Sequence, residues 1–122
     1  MLKRRILSVL LVLAMLVPFA GAAQTAQDNM RGVWVASVAN IDYPSSAGMT
    51  AQALAAEADT MLDNIAAMGL NTVFLQVRPS ADALYRSGLF PQSRYVSGTC
   101  GASPDGDFDV LAYWVEGAHE RG

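Results

Sequence analysis

The chain has 122 residues, with 8 basic and 11 acidic side chains, one histidine and one cysteine. That length holds one domain at most. An acidic balance of this kind offers no electrostatic footprint for nucleic acid or for an anionic lipid surface.

The first two dozen residues read as a leader. Lys3, Arg4 and Arg5 form a basic start, Ile6 to Val17 is an apolar run broken only by Ser8, and Ala20-Gly21-Ala22 supplies small residues at cleavage spacing. This is the pattern of a signal peptide over residues 1–22, cut after Ala22 or Ala23. A spanning helix needs roughly 20 apolar residues, so the shorter run argues against a stable membrane anchor after cleavage. Arg4-Arg5 hints at twin-arginine export, but the flanking residues match that pattern poorly and general secretion is favoured. Without Lys3, Arg4 and Arg5 the chain keeps five bases, all arginines, against 11 acids, a formal balance of −6 that suits solubility. Cys100 is then free, paired with another chain, or paired with a cysteine outside this sequence. No cysteine stands at the cleavage site, which argues against a lipid-anchored form.

Residues 23–30 are small and polar and read as a tail. Gly32 to Val38, GVWVASV, is an uncharged strand rich in valine, followed by a loop, Ala39 to Pro44, whose polar groups could face a site. Thr50 is placed to cap a helix in which Leu54, Ala58, Met61, Leu62, Ile65 and Met68 recur on one face. Gly69 ends it as a left-handed cap, with Leu70 making the accompanying contact. A second strand starts at Asn71 or Thr72. Along it, alternation sends Val73, Leu75 and Val77 toward covering helices and Phe74, Gln76 and Arg78 the other way.

Asp82 to Ser87 reads as a short helical piece. Gly88 to Gly106 reads as a long irregular segment punctuated by Pro91, Gly98, Gly101 and Pro104, either a functional rim or an excursion pinned by Phe90 and Tyr95. Asp107 or Asp109 then caps a last helix, with Phe108, Leu111, Val115 and Ala118 as its buried stripe, Trp114 beside it, and His119 and Arg121 in a final turn that favours cations. The order strand, helix, strand, helix, with Gly122 where a third strand would follow, is that of an α/β fold cut within a repeating βα pattern.

Polar residues cluster at the carboxyl ends of both strands. Asn40, Asp42 and Tyr43 follow the first; Gln76, Arg78, Asp82 and Tyr85 follow the second. In parallel α/β architectures those ends form the ligand mouth. An arginine there needs an anionic or polyhydroxyl partner, unless Asp42 or Asp82 satisfies it internally. A glycosidase needs two carboxyls, and Asp42 and Asp82, on neighbouring loops, are candidates, although hydrogen bonding to sugar or to Arg78 is the favoured role for both. Asp82 is also spaced from Pro79 as a helix cap. His119 lies at the far end of a helix from the strand ends, where a structural role is favoured. No metal cluster, phosphate loop or nucleophile elbow is present in the sequence, so no cofactor is expected.

Three stretches, GVWVASVANIDYPS at Gly32 to Ser45, MGLNTVFLQVRPSADALY at Met68 to Tyr85 and FDVLAYWVEGAHERG at Phe108 to Gly122, resemble the opening of the glycosyl hydrolase-like 10 domain. The resemblance implies that residues 31–122 are the first two βα units of a (β/α)₈ TIM barrel, truncated, from an exported glycoside hydrolase acting on oligo- or polysaccharide in or near the bacterial envelope. It implies a rim or substrate-contact role for Asn40, Asp42, Tyr43, Gln76, Arg78, Asp82 and Tyr85, with the acid/base and nucleophile carboxylates on later strands. The alternative is a carbohydrate-binding or scaffolding barrel without catalysis.

Overall fold

A computed structural model describes residues 29–122; the leader over 1–22 and most of the tail lie outside the described residues. Two strands, β1 (Gly32–Val35) and β2 (Thr72–Leu75), pair in parallel, with Gly32 opposite Thr72 and Val35 opposite Leu75. The crossover between them is α1 (Ala51–Ala67). Beyond β2 come a one-turn helix, α2 (Arg94–Ser97), a 3₁₀ turn at Asp105–Asp107, and α3 (Val110–Glu120), which packs on α1. No helix among the described residues is long and apolar enough to cross a membrane.

The ends of α1 follow from local chemistry. Thr50 Oγ1 accepts the Ala53 N–H at 3.2 Å, supplying one of the acceptors that a helix start lacks. At the other end Gly69 takes φ 73°, and its N–H bonds Ala66 O while the Leu70 N–H reaches back to Ile65 O. Those are the two bonds of a Schellman cap, and a side chain at Gly69 would be strained there. Leu54, Ala58, Leu62 and Ile65 are buried as the spacing predicts. Met68 is exposed, because it falls one residue past the helix, where the chain turns away from the core.

The sheet has two chemically distinct faces. Val35 on β1, with Val73, Leu75 and Val77 of the second run, packs against the cluster built from Tyr43, Leu54, Leu62, Val110 and Trp114. Trp34 and Phe74, paired in register on the opposite face, are 62% and 43% exposed. Gly32 lies under that ring: a Cβ there would stand 2.5 Å from Phe74 Cε2, so a side chain at 32 would have to push the Phe74 ring aside. Alternation along β2 is therefore as read from the sequence.

Three expectations are corrected. The first strand ends at Val35 rather than Val38, because the Ser37 and Val38 N–H groups turn to a side chain on the second strand and Ala39 and Asn40 adopt φ 54°. Asp82 to Ser87 is not helical. Its N–H groups bond across the loop, Ala83 N to Pro91 O and Leu84 N to Val77 O, forming a bridge between Ala83 and Gln92. In α3 the buried stripe is Val110, Trp114 and Gly117, one step round from the expected one, and Val115 is 44% exposed. The reason is Trp114, whose indole meets the Tyr43 ring edge-on at 5.0 Å, while Gly117 admits Leu62, whose Cδ1 would be 3.0 Å from an added Cβ. Leu111, Val115 and Ala118 instead line an apolar groove of about 510 Å³ along the free edge of β2.

Asp109, not Asp107, caps α3, its Oδ1 accepting the Ala112 N–H at 3.0 Å. Arg121, just past that helix, bonds Asp63 at 2.7 Å and Asp59 at 3.2 Å on α1, fastening the two helices at their exposed end. Replacing the fully buried Leu54 by alanine is expected to cost about 2–5 kcal/mol in urea unfolding. Asp109→Ala should cost about 1 kcal/mol, the usual worth of an N-cap.

Candidate functional site at the strand ends

Gln76 continues the second strand, its N–H donating to Val35 O at 2.9 Å. Its side chain does something the ladder cannot. Oε1 accepts both the Ser37 and the Val38 N–H at 2.9 Å, and the Ser37 hydroxyl donates back to Gln76 O. The amide is thereby locked in orientation: the oxygen is held by two donors, so the Nε2 donors face elsewhere and make no hydrogen bond among the described residues.

The loop after β1 is closed by its own polar groups. Asp42 Oδ2 accepts the Ala36 N–H at 2.8 Å, and the N–H groups of Asp42 and Tyr43 both donate to Ala36 O. Asn40 Nδ2 donates to Pro44 O at 2.7 Å and to Tyr95 O at 2.8 Å, which ties this loop to α2. Asn40 and its neighbour Ala39 lie in the left-handed region, costly for residues with a side chain and more tolerable for asparagine. Tyr43 does not face a mouth at all. It is fully buried, its hydroxyl donates to Leu54 O at 3.0 Å, and burial pushes its phenol well above the ordinary tyrosine range. The substrate contact expected of Tyr43 is thus replaced by a core role: an apolar ring satisfied by one buried acceptor.

After the second strand, Arg78 is exposed and lies flat on Phe90, its guanidinium carbon 3.5 Å from the ring centroid. Among the described residues it has no carboxylate partner; the ion pairs there belong to Arg121. The anticipated pairing of Arg78 with Asp82 or Asp42 does not form. Asp82 is only 3% exposed, and its Oδ1 accepts the Ser80 N–H at 3.1 Å, a turn-shaping bond. Tyr85 is half-buried, its carbonyl accepting from Gln92 Nε2 at 2.9 Å.

Tyr95 is the residue that sequence reasoning undervalued. Its hydroxyl lies 3.4 Å from Ser80 Oγ and accepts from Arg94 at 3.1 Å, while its carbonyl holds Asn40. It therefore connects the loops after both strands. The Ser80 contact, and then the Arg94 guanidinium and the Ala39 N–H, favour its phenolate and hold its pKa below the usual tyrosine value. An aromatic residue in a loop signalled only pinning; the hydrogen-bond network needed coordinates. Among the described residues no cluster of histidine, cysteine or carboxylates could hold a metal ion.

At the strand ends, then, Gln76 holds Ser37 and Val38, Tyr95 joins Asn40 to Ser80, Arg78 lies exposed on Phe90, and Tyr43 and Asp82 are buried. A family model, glycosyl hydrolase-like 10, matches residues 29–122. The chain belongs to that family. It is 41% identical over 105 residues to glycosyl hydrolase YngK of Bacillus subtilis, covering 86% of this chain and 20% of that protein. It is 33% identical over 121 residues to glycosyl hydrolase DigH of Escherichia coli K12, covering 89% of this chain and 27% of that one. The chain therefore spans about a fifth to a quarter of the length of these relatives.

Two outcomes check this geometry. Gln76→Ala removes the acceptor of two backbone donors and is expected to cost about 1–3 kcal/mol of stability, whereas Gln76→Glu, which keeps an oxygen in place, should cost much less; urea unfolding compares them. In an alkaline ultraviolet titration Tyr95 should ionise before Tyr43 and Tyr113, whose pKa values are raised, the first by burial and the second by its bond to Asp59. Because the folded pKa of Tyr95 is depressed, its contribution to stability appears only as pH rises into the tyrosine range and is absent at neutrality. Tyr95→Phe should delete the earliest step.

Proposed function

We propose that this chain is the substrate-gripping beginning of an exported glycoside hydrolase with a (β/α)₈ barrel, whose catalytic carboxylates lie outside the 122 residues. The carrying observation is the donor pair Gln76 and Arg78 at the carboxyl end of β2, in a chain of the glycosyl hydrolase-like 10 family. Barrel enzymes place their active sites at that end of the strands. The exposed Trp34 and Phe74, paired on the face away from the helices, suit an interior that further strands would cover. The apolar groove along the free edge of β2 suits a third strand laid beside it.

The chemistry would be general acid/base hydrolysis of a glycosidic bond by two carboxyl groups. Asp42 and Asp82 each already hold a backbone N–H, which favours a shaping role for both and leaves cleavage to carboxylates elsewhere. The basic and apolar leader supports export, and so a periplasmic or extracellular setting and a glycan of the bacterial envelope as substrate. One observation favours a second reading, a carbohydrate-binding barrel without catalysis: the carboxylates at these two strand ends, Asp42 and Asp82, each hold a backbone N–H of their own loop.

The experiment is hydrolysis by the full-length protein. Bacterial envelope glycan and simple neutral polysaccharides are offered, and new reducing ends are measured. Release from at least one is expected, and Arg78→Ala should lower kcat/KM by roughly 10- to 100-fold, the worth of one to two charged hydrogen bonds. Absence of cleavage on every glycan, with binding retained, would leave the non-catalytic reading in its place.

A further inference from the structure

Five arginines stand among the described residues, and four of them donate hydrogen bonds from their side chains. Arg121 takes Asp59 and Asp63, Arg31 and Arg86 end on the carbonyls of Gly69 and Asp107, and Arg94 donates to the Tyr95 hydroxyl. Arg78 is the fifth. It meets a ring face instead: its guanidinium carbon lies 3.5 Å from the centroid of Phe90, and its N–H edges make no hydrogen bond among the described residues.

The Phe90 ring is not part of the core cluster and pairs with no other aromatic ring among the described residues. Core packing therefore does not account for its position. Backbone bonding does. The Leu84 N–H donates to Val77 O at 3.0 Å, the Ala83 N–H to Pro91 O at 2.9 Å and the Ser93 N–H to Ala83 O at 2.8 Å, so the chain after β2 doubles back on itself. Val77 and Pro91, which these bonds bring to adjacent residues of one turn, are the sequence neighbours of Arg78 and Phe90. Ser87 Oγ accepts the Leu89 N–H at 3.1 Å and the Phe90 N–H at 3.0 Å, which fixes the chain just ahead of the ring. The stack of Arg78 on Phe90 is thus set by a backbone register, not by two long side chains meeting at the surface.

An exposed arginine loses rotamer freedom when it takes a ligand, and that loss weakens the contact. A guanidinium laid on an aromatic face has its plane chosen in advance, while its N–H donors stay open at the edge. We infer that Phe90 is a positioning residue for substrate: its ring holds the Arg78 guanidinium in the plane from which Arg78 grips the glycan, and takes no part in bond cleavage. The inference rests on the reading of Arg78 as a substrate grip in a glycan-acting parent, and adds the group that orients that grip. What the role needs is a π face, so Phe90→Tyr keeps it and Phe90→Leu, apolar but not aromatic, loses it.

The test is a double-mutant cycle of Phe90→Leu and Arg78→Ala in the full-length protein, with bacterial envelope glycan and soluble starch as probes. Phe90→Leu should raise KM about 2- to 5-fold, the worth of an exposed cation–π contact, and leave kcat unchanged. Phe90→Tyr should keep the wild-type KM. In the Arg78→Ala background Phe90→Leu should change nothing further, because its effect passes through Arg78. Where a probe is bound without being cleaved, its dissociation constant takes the place of KM in the same cycle. With arginine side chains isotopically labelled and no glycan present, the Arg78 Nε–H signal, assigned by its loss in Arg78→Ala, should move on Phe90→Leu as the ring current disappears. Four results would overturn the inference and leave the grip reading in place: an Arg78 signal unmoved by Phe90→Leu, wild-type KM in Phe90→Leu while Arg78→Ala is impaired, a Phe90→Leu effect that persists in full without Arg78, or Phe90→Tyr as weak as Phe90→Leu. Arg78→Ala that binds and cleaves both probes as the wild type does would retire the grip itself and the inference with it, as would a full-length protein that neither binds nor cleaves either probe.

Discussion

The strand ends depend on one side chain, the amide of Gln76. A parallel pair has to stop somewhere, and where it stops the leading strand leaves N–H groups without partners. Here Ser37 and Val38 pass those groups to Gln76 Oε1, and the Ser37 hydroxyl returns a bond to Gln76 O. With three bonds from Ser37 and Val38 to Gln76, the end of β1 is fastened to the end of β2. The left-handed pair Ala39-Asn40 can persist only because the chain on both sides is held, by Gln76 before it and by Asp42 and Asn40 within it.

The same amide links the architecture to the proposed binding. Its oxygen is spent on the fold and its nitrogen is left over, which converts a structural latch into an oriented donor. Arg78 shows the same division in other chemistry, with its face used by Phe90 and its edges unused. Contacts of this kind restrict the side chains in advance and so lower the entropy that a ligand contact would otherwise cost. Tyr95 extends the arrangement outward, joining Asn40, Ser80 and Arg94, so the long segment after β2 is fastened to the loop after β1.

How much of this was legible in the sequence follows from the range of each interaction. Local signals were read correctly. Thr50 capping α1, the glycine at 69, an aspartate at 107 or 109 capping α3 and the two faces of β2 rest on residues within a few positions of one another. Long-range choices were not legible. Tyr43 sits three residues from Asn40 and carries a hydroxyl, so a mouth position was reasonable, yet Trp114 from the far end of the chain and Leu54 from α1 claim it. The stripe of α3 rotated for the same reason, since a tryptophan and a glycine packed better than the valine that periodicity favoured. The segment from Asp82 to Ser87 had helical composition, but its N–H groups found acceptors at Pro91 and Val77. Gln76 was recognised as a polar group at a strand end. That its oxygen would be consumed by backbone 38 and 39 positions away could be known only from the register of β1 on β2.

The central claim is that the carboxyl ends of β1 and β2 hold glycan. It is tested most directly by the structure of the full-length protein with an oligosaccharide bound. The account predicts a sugar oxygen within hydrogen-bonding distance of both the Arg78 guanidinium and Gln76 Nε2, with the Oε1 bonds to Ser37 and Val38 unchanged. An oligosaccharide bound elsewhere, with a carboxylate of the protein itself seated on Arg78, would contradict it.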